Sequence, residues 1–425
     1  MNNGKPHILY VGSVLPKRSE TFVYREVLGL RQRGVRVSAA SVNTPERGLG
    51  DPQLDQLADE AFHVYGRGIG GKLAVLRDSL LQAPLDVSLP QGIFEAGLGY
   101  WAKYFFQWNA GKALARRVRG QGITHVHAHM AHVPATVAMS CAASLGVPFS
   151  FTGHAADLFR DRTALKTKLR HAAFVSCISE WHRIFYRGLA PTLKDEQLPL
   201  IRCGVDMAEF TPAEPGASRG ILAVGRLVPK KGFDVLIRAL VAAPAEVTLQ
   251  LVGDGPEEAE LKALAAEAGV AERVEFLGAK SNNQVRELMG RAALFVLPCQ
   301  KAADGDRDGI PVVLMEAMAR NVCVVSGDLP TIRELVSDNV TGVMVPPGAV
   351  DELSGAIVRL LRDDALRRRL ADAGRARVAG EFAQSVNLDR LEAALTRVAS
   401  GSAHVTPVQK PVDPPPPPKM GAAHA

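Results

Sequence analysis

Long apolar runs are missing from this 425-residue chain. No stretch approaches the ~18 residues of a membrane span, and the opening M-N-N-G-K-P-H-I-L-Y has no apolar core of a signal peptide. Cysteine is scarce. The five residues, Cys141, Cys177, Cys203, Cys299 and Cys323, lack C-x-x-C spacing, which argues against a disulfide framework or a zinc site and for reduced cytosolic thiols. Concentrated basic runs are also absent: Lys and Arg are dispersed with no recognised binding motif, so nucleic acid is not an expected partner. A cytoplasmic protein is expected.

With 47% hydrophobic and 22% charged residues, the chain can bury a large core and is expected to divide into two domains. Charge is uneven. Residues 1–210 hold 25 Lys and Arg against 17 Asp and Glu, the remainder 25 against 27. The basic first half reads either as ordinary solubility or as attraction to an anionic surface or a pyrophosphate-bearing partner.

H-I-L-Y-V-G (His7–Gly12) reads as a buried strand. Ser19 is the expected N-cap of an apolar-periodic helix over Phe22–Gln32, and Val35–Val42 reads as the next strand. This is a β-α-β unit, and its Gly12–Ser19 loop lies where open α/β sheets place ligands. A G-x-G-x-x-G at Gly66, Gly68 and Gly71 does not sit on the first strand, so a surface loop is expected rather than a dinucleotide site. Trp101, Tyr104, Phe105 and Trp108 lie at helical spacing, as a core-packing helix or a membrane-surface contact. His125, His127 and His129 alternate on one face of a strand, without a carboxylate or Cys at ligand spacing, and no metal is assigned to them. His154, in F-S-F-T-G-H, follows a strand end and is read as a polar group aimed into a cleft, with Asp157 three residues on.

From Ile201 the chain turns polar and Pro/Gly-rich, the expected interdomain linker. A second strand–helix series begins at I-L-A-V-G-R-L. Asp351–Leu361 and Ala365–Leu395 read as terminal helices. The expected fold is α/β, two doubly wound Rossmann-like domains facing a central cleft. Residues 1–205 form the first domain and 206–385 the second; a helix over 386–400 packs back on the first. The Pro-rich tail, 401–425, cannot bury a core and is expected to be disordered.

The most informative stretch runs from Asp304 to Glu334. An acidic, glycine-bearing loop meets Pro311 at a helix start, and Val312–Ala319 reads as a buried helix followed by a strand over Val322–Ser326. Such a start offers backbone N–H groups and a positive dipole end to a phosphate. Glu316, between Met315 and Ala317-Met318, needs a buried partner, and a ligand hydroxyl would serve. In G-R-L-V-P-K-K-G, Arg226 and Lys231 follow a strand and suit phosphate oxygens. Together these groups fit a nucleoside diphosphate-sugar.

V-G-R-L-V-P-K-K-G-F-D, L-V-G-D-G-P, V-E-F-L-G, D-G-I-P-V-V-L-M-E-A-M-A, R-E-L-V and T-G-V-M-V-P-P-G together resemble the family-4 retaining glycosyltransferases of GT-B fold. The resemblance covers nearly everything from His7 to about Leu395. S-E-T-F and F-T-G-H-A-A-D-L-F look most like the exopolysaccharide branch, with its colanic-acid and amylovoran transferases. It implies that Arg226 and Lys231 hold the donor diphosphate, that Glu316 accepts the ribose hydroxyls, and that Asp308 contacts the transferred sugar in place of the family's first Glu. Gly309, Ile310, Pro311 and Val312 would offer backbone groups to sugar and phosphate. His154 would approach from the first domain, and Gly12 would line the cleft floor. The implied catalytic set is His154, Asp308, Arg226 and Lys231, with no metal or other cofactor; the D-G-D at Asp304–Asp306 reads as an acidic loop. The implied partners are a UDP- or GDP-sugar and a glycan or lipid-pyrophosphate-linked acceptor, with a peripheral place at the inner membrane face. A nucleotide-sugar epimerase or glycosyl phosphorylase of the same fold is the alternative. Asn321-Val322-Cys323 departs from the family's Gly-x-Pro turn.

Overall fold

A computed structural model describes residues 6–65, 68–80, 88–97, 99–154, 158, 162–212 and 220–399. Asp157, Gly66 and the tail 401–425 lie outside these residues. The first sheet contains β1 (His7–Gly12), β2 (Arg36–Ser41), β3 (Phe62–His63), β4 (His125–His129), β5 (Phe149–Thr152) and β6 (Phe174–Ser176), in the order β3-β2-β1-β4-β5-β6. The second contains β7 (Ile221–Val224), β8 (Leu249–Val252), β9 (Val274–Gly278), β10 (Leu294–Leu297), β11 (Cys323–Gly327) and β12 (Val343–Val345), in the order β12-β11-β10-β7-β8-β9. The pairings within both sheets are parallel. The order reverses between β1 and β4 and between β7 and β10, so both switch points open at carboxyl strand ends. Gly12 ends β1, while Arg226 and Cys299 follow β7 and β10 by two residues.

Parallel strands covered on both faces read as continuous apolar runs, and β1 is buried at all six positions. One face carries Ile8 and Tyr10, under the helix Thr21–Gln32 with its buried Val23, Val27 and Leu30. The final helix, Gln384–Ala399, completes that layer: Leu388, Leu391, Ala394 and Leu395 belong to the same cluster. Their burial is worth on the order of 5 kcal/mol to the first domain. The second domain has one continuous core from Val205 to Phe382.

Three local expectations are corrected. Ser19 does not cap the first helix. A turn closed by Glu20 N–H to Lys17 O (3.1 Å) encloses it, and Glu20 stands at the N-cap with its carboxylate on Lys17 Nζ (2.5 Å) and not on the helix backbone. The run Ala365–Leu395 is not one helix: Asp364–Arg377 passes through a π turn at Val378–Phe382 and restarts at Gln384. There Val205 donates to Phe382 O (3.0 Å) and accepts from Gln384 N (2.8 Å), taking backbone groups that a continuous helix would use. A Cβ on Gly204 would stand 2.6 Å from Gln384 Cα, so this crossing needs glycine. Gly68 opens a helix, Gly68–Leu80, where a loop was expected; it follows edge strand β3, away from the switch point, which removes the dinucleotide reading.

The helix Trp101–Val118 buries Tyr104 and Trp108 and leaves Trp101 and Phe105 exposed. Asn321 takes φ +65°, a left-handed turn that Asn tolerates better than most residues, and its side chain bonds Asp372 (2.9 Å). No helix among the described residues is long and apolar enough to cross a membrane.

Candidate active site

On the second domain, β7 leads through Gly225 and Arg226 into a short 3-10 turn, Pro229–Lys231, closed by Gly232 at φ +69°. A Cβ on Gly232 would meet Pro298 O at 2.2 Å, so only glycine brings this turn against the loop after β10. Lys231 Nζ thereby reaches Asp308 Oδ2 at 2.8 Å. Lys230 Nζ lies 3.2 Å from Asp306 and 3.6 Å from Asp308, and the Cys299 thiol donates to Asp308 Oδ2 at 3.3 Å. Thr331 Oγ1 fixes the loop by donating to the carbonyls of Asp308 (3.2 Å) and Gly309 (3.0 Å). Burial would raise the Asp308 carboxyl, but Lys231 and Lys230 outweigh it and hold the group below the usual carboxylate range. Burial would likewise lower Lys231; Asp308 outweighs it and raises the ammonium. Burial, then Asp308, pushes the Cys299 thiol well up, so it stays protonated as a donor.

Pro311, expected as the first helical residue, stands instead at the N-cap, and the helix runs Val312–Ala319. Its first N–H groups have no partner within the helix and face the same loop. Arg226 is exposed, and no described side chain pairs with its guanidinium.

Glu316 corrects one argument from the sequence. Its buried carboxylate does have a protein partner: Arg25 Nη1, from the first domain, bonds Oε1 at 2.9 Å. Arg25 also lies 3.5 Å from Glu209, which pairs with Arg286 at 3.1 Å. Burial pushes the Glu316 carboxyl up, and Arg25 offsets this only in part. The missed signal was Arg25 itself, a cation among the apolar positions of a helix whose neighbours Val23, Tyr24 and Val27 are buried. Beside the pair, a crevice of about 200 Å³ opens between Tyr24, Arg25, Asp206, Glu209, Asn282 and Arg286.

The first domain carries a buried group of histidines. His125 Nε2 and His127 Nδ1 share Ser150 Oγ (2.6 and 2.7 Å), and His127 Nε2 meets Thr152 Oγ1 at 3.1 Å. His129 Nδ1 lies 3.2 Å from His154 Nε2, and its Nε2 lies 2.9 Å from Glu26 Oε1. Phe22 packs on the His154 ring at 4.5 Å between centroids. Burial pushes His125 down to about 3 and His127 and His154 well below their ordinary value, so all three stay neutral. Sequence spacing showed no carboxylate near these histidines; the fold supplies one. Ligand atoms of Glu26, His127 and His129 all lie within 4.8 Å of one another.

Polar bridges close the cleft. Glu334 accepts from Arg202 Nη1 (2.7 Å) and from the N–H groups of Glu180 (2.9 Å) and Trp181 (3.1 Å), at the start of the helix Glu180–Leu189. Such a helix end favours a carboxylate. Arg307 lies over the Trp181 ring at 5.6 Å, and Asn282 donates to Tyr24 Oη at 3.0 Å.

Residues 208–377 match the family described as glycosyl transferases group 1. The chain is similar to the amylovoran biosynthesis glycosyltransferase AmsK of Erwinia amylovora, 34% identical over 48% of this chain and 52% of that one. It is also similar to a GDP-mannose-dependent monoacylated alpha-(1-6)-phosphatidylinositol monomannoside mannosyltransferase of Corynebacterium glutamicum, 34% identical over 48% and 56%. The chain thus spans about half the length of these curated relatives. Among solved structures, Anabaena Alr3699/HepE in complex with UDP superimposes with a TM-score of 0.70 at 19% identity, covering 92% of this chain and 99% of that one. The fold is GT-B.

Proposed function

We propose that this chain, which carries a group 1 glycosyl transferase domain on a GT-B fold, moves a hexose from a nucleoside diphosphate-sugar to a growing glycan with retention of anomeric configuration. The setting proposed is exopolysaccharide or cell-surface polysaccharide synthesis, as in the AmsK relative. One observation supports the reading above others: Lys231, Lys230 and Asp308 meet at the start of the helix Val312–Ala319, with Arg226 exposed on the same strand-end surface. A diphosphate there draws Lys231 and Arg226 onto its oxygens and takes the helix N–H groups. Asp308, released from Lys231, then accepts a hydroxyl of the sugar. Glu316 exchanges Arg25 for the ribose hydroxyls.

Departure of the nucleoside diphosphate leaves negative charge on the leaving oxygen, and the lysines, Arg226 and the helix dipole stabilise it in place. With Asp308 as the one carboxylate assigned to the sugar, a same-face, oxocarbenium-like displacement is the route proposed, and no enzyme nucleophile is assigned. Rate enhancement rests on positioning and charge stabilisation. No metal is assigned. The donor is a UDP- or GDP-sugar, in keeping with the UDP bound by the Anabaena protein and the GDP-mannose dependence of the mannosyltransferase relative. A lipid-linked acceptor at a membrane surface is part of the proposal; exposed Phe94, Tyr100, Trp101 and Phe105 offer an apolar contact there.

The test is acceptor-dependent release of UDP or GDP from a panel of hexose donors, with the anomeric configuration of the product read by NMR. Release unchanged by Arg226→Ala and Glu316→Ala would overturn the site. Conversion of donor without acceptor would replace transfer with epimerisation.

A further inference from the structure

His154 belongs to a buried chain of polar groups. Helix Thr21–Gln32 lies across the sheet face that carries Tyr10 and His129, and it brings Glu26 against both. The Tyr10 hydroxyl donates to Glu26 Oε1, and burial, then Glu26, raises the phenol well above its ordinary value, so it remains a donor. His129 Nε2 meets the same oxygen at 2.9 Å. An ionised carboxylate only accepts, so this nitrogen carries hydrogen. His129 Nδ1 faces His154 Nε2 at 3.2 Å, so one of these nitrogens donates and the other accepts. A hydrogen held on His129 Nε2 by Glu26 favours Nδ1 as the acceptor and His154 Nε2 as the donor. Ring packing keeps the order: His129 stacks on His154 with centroids 5.5 Å apart and planes 19° apart, and Phe22 lies on the other ring contact at 4.5 Å.

We propose that Glu26 and His129 are positioning residues whose hydrogen-bond chain fixes the tautomer and ring plane of His154 toward the transferred sugar. The proposal rests on the role given to His154 above. A carboxylate–histidine chain of this kind sets which nitrogen of the outer imidazole donates, as the partners of metal-bound histidines do. A cation held by Glu26, His127 and His129 fits less well. Both nitrogens of His127 already meet Ser150 and Thr152, and both of His129 meet Glu26 and His154. The adjacent cavity of about 20 Å³ has room for about one water.

The experiment compares wild type with Glu26→Gln, Glu26→Asp, Tyr10→Phe and His154→Ala, all checked for folding by thermal melting. Two readouts are used: donor turnover in the full chain, and long-range ¹H–¹⁵N NMR of the histidines. Glu26→Gln is expected to lower kcat by about 10- to 100-fold with little change in the donor KM, and to alter the His154 nitrogen shifts. Glu26→Asp restores part of the rate, and Tyr10→Phe, which keeps the carboxylate, falls between. Wild-type kcat in Glu26→Gln while His154→Ala is impaired would overturn the positioning role and leave that of His154 standing. Wild-type kcat in His154→Ala would overturn the reading beneath it. In that case unchanged His154 shifts in Glu26→Gln would also remove the chain, whereas altered shifts would retain it as the determinant of the tautomer alone.

Discussion

The second domain pairs its buried ions, Lys231 with Asp308, and offers Glu316 to Arg25 of the first domain; the first domain instead encloses His125, His127 and His154, which burial holds neutral. The difference follows from the partners each fold brings up. Lys230 and Lys231 sit on a tight turn one strand away from Asp308, so ionisation is supported on both sides. His125 and His127 hydrogen-bond to the hydroxyls of Ser150 and Thr152, and the one carboxylate of the group, Glu26, bonds His129 instead. An ion pair can exchange its partner for a diphosphate, while the neutral His154 suits an uncharged sugar.

The largest break in that comparison is Lys231→Met. It leaves Asp308 buried beside Lys230 alone and is expected to cost about 3–5 kcal/mol of second-domain stability. The matching change in the first domain, Ser150→Ala, removes the hydroxyl that His125 and His127 share and is expected to cost about 1–3 kcal/mol. Chemical denaturation measures both, and equal losses would erase the distinction.

Acid separates the two domains next. A histidine whose folded pKa is depressed binds its proton only on unfolding, so the unfolded state gains protons below about pH 6.5 and stability falls as pH drops through that region. His125, pushed down to about 3, contributes about 1 kcal/mol of loss per pH unit between about 6 and 3. Asp308 has a lowered pKa, so its contribution is intact above its ordinary value and disappears only as pH falls through the folded value. Stability is therefore expected to decline from about pH 6 before any loss from the ionic pair; a flat profile from pH 7 to 5 would contradict the neutral histidines.

Smaller effects sharpen the comparison. Arg25→Ala removes a competitor for Glu316, so nucleoside diphosphate affinity by calorimetry is expected to rise several-fold; a fall would make Arg25 a ligand contact instead. Arg226→Ala is expected to change stability by less than about 0.5 kcal/mol, since the side chain is exposed, while reducing nucleotide release.

Much of the architecture was legible because parallel strands such as Leu294–Leu297 are continuous apolar runs, and each is followed by a punctuated helix. The alternation of His125, His127 and His129 is enough to place them on one face of a strand. What sequence spacing does not encode is the long-range partner. Glu26 is 103 residues from His129, and Arg25 is 291 from Glu316. Both meetings depend on how the helix Thr21–Gln32 lies between the two domains. The restart at Gln384 was hidden for a similar reason: Ala365–Leu395 has helical composition throughout, and only pairing with Val205 breaks it. Lys230 and Cys299 stood in plain view beside assigned residues, but nothing local marked them as neighbours of Asp308.

The donor site is tested most directly by a thermal melt of wild type and Arg226→Ala with UDP and with GDP, since a ligand that binds the folded state raises its midpoint. The account predicts that one of the two raises the wild-type midpoint, and that Arg226→Ala melts like wild type alone but loses most of that shift. No shift with either nucleotide, or an equal shift in the variant, would contradict it.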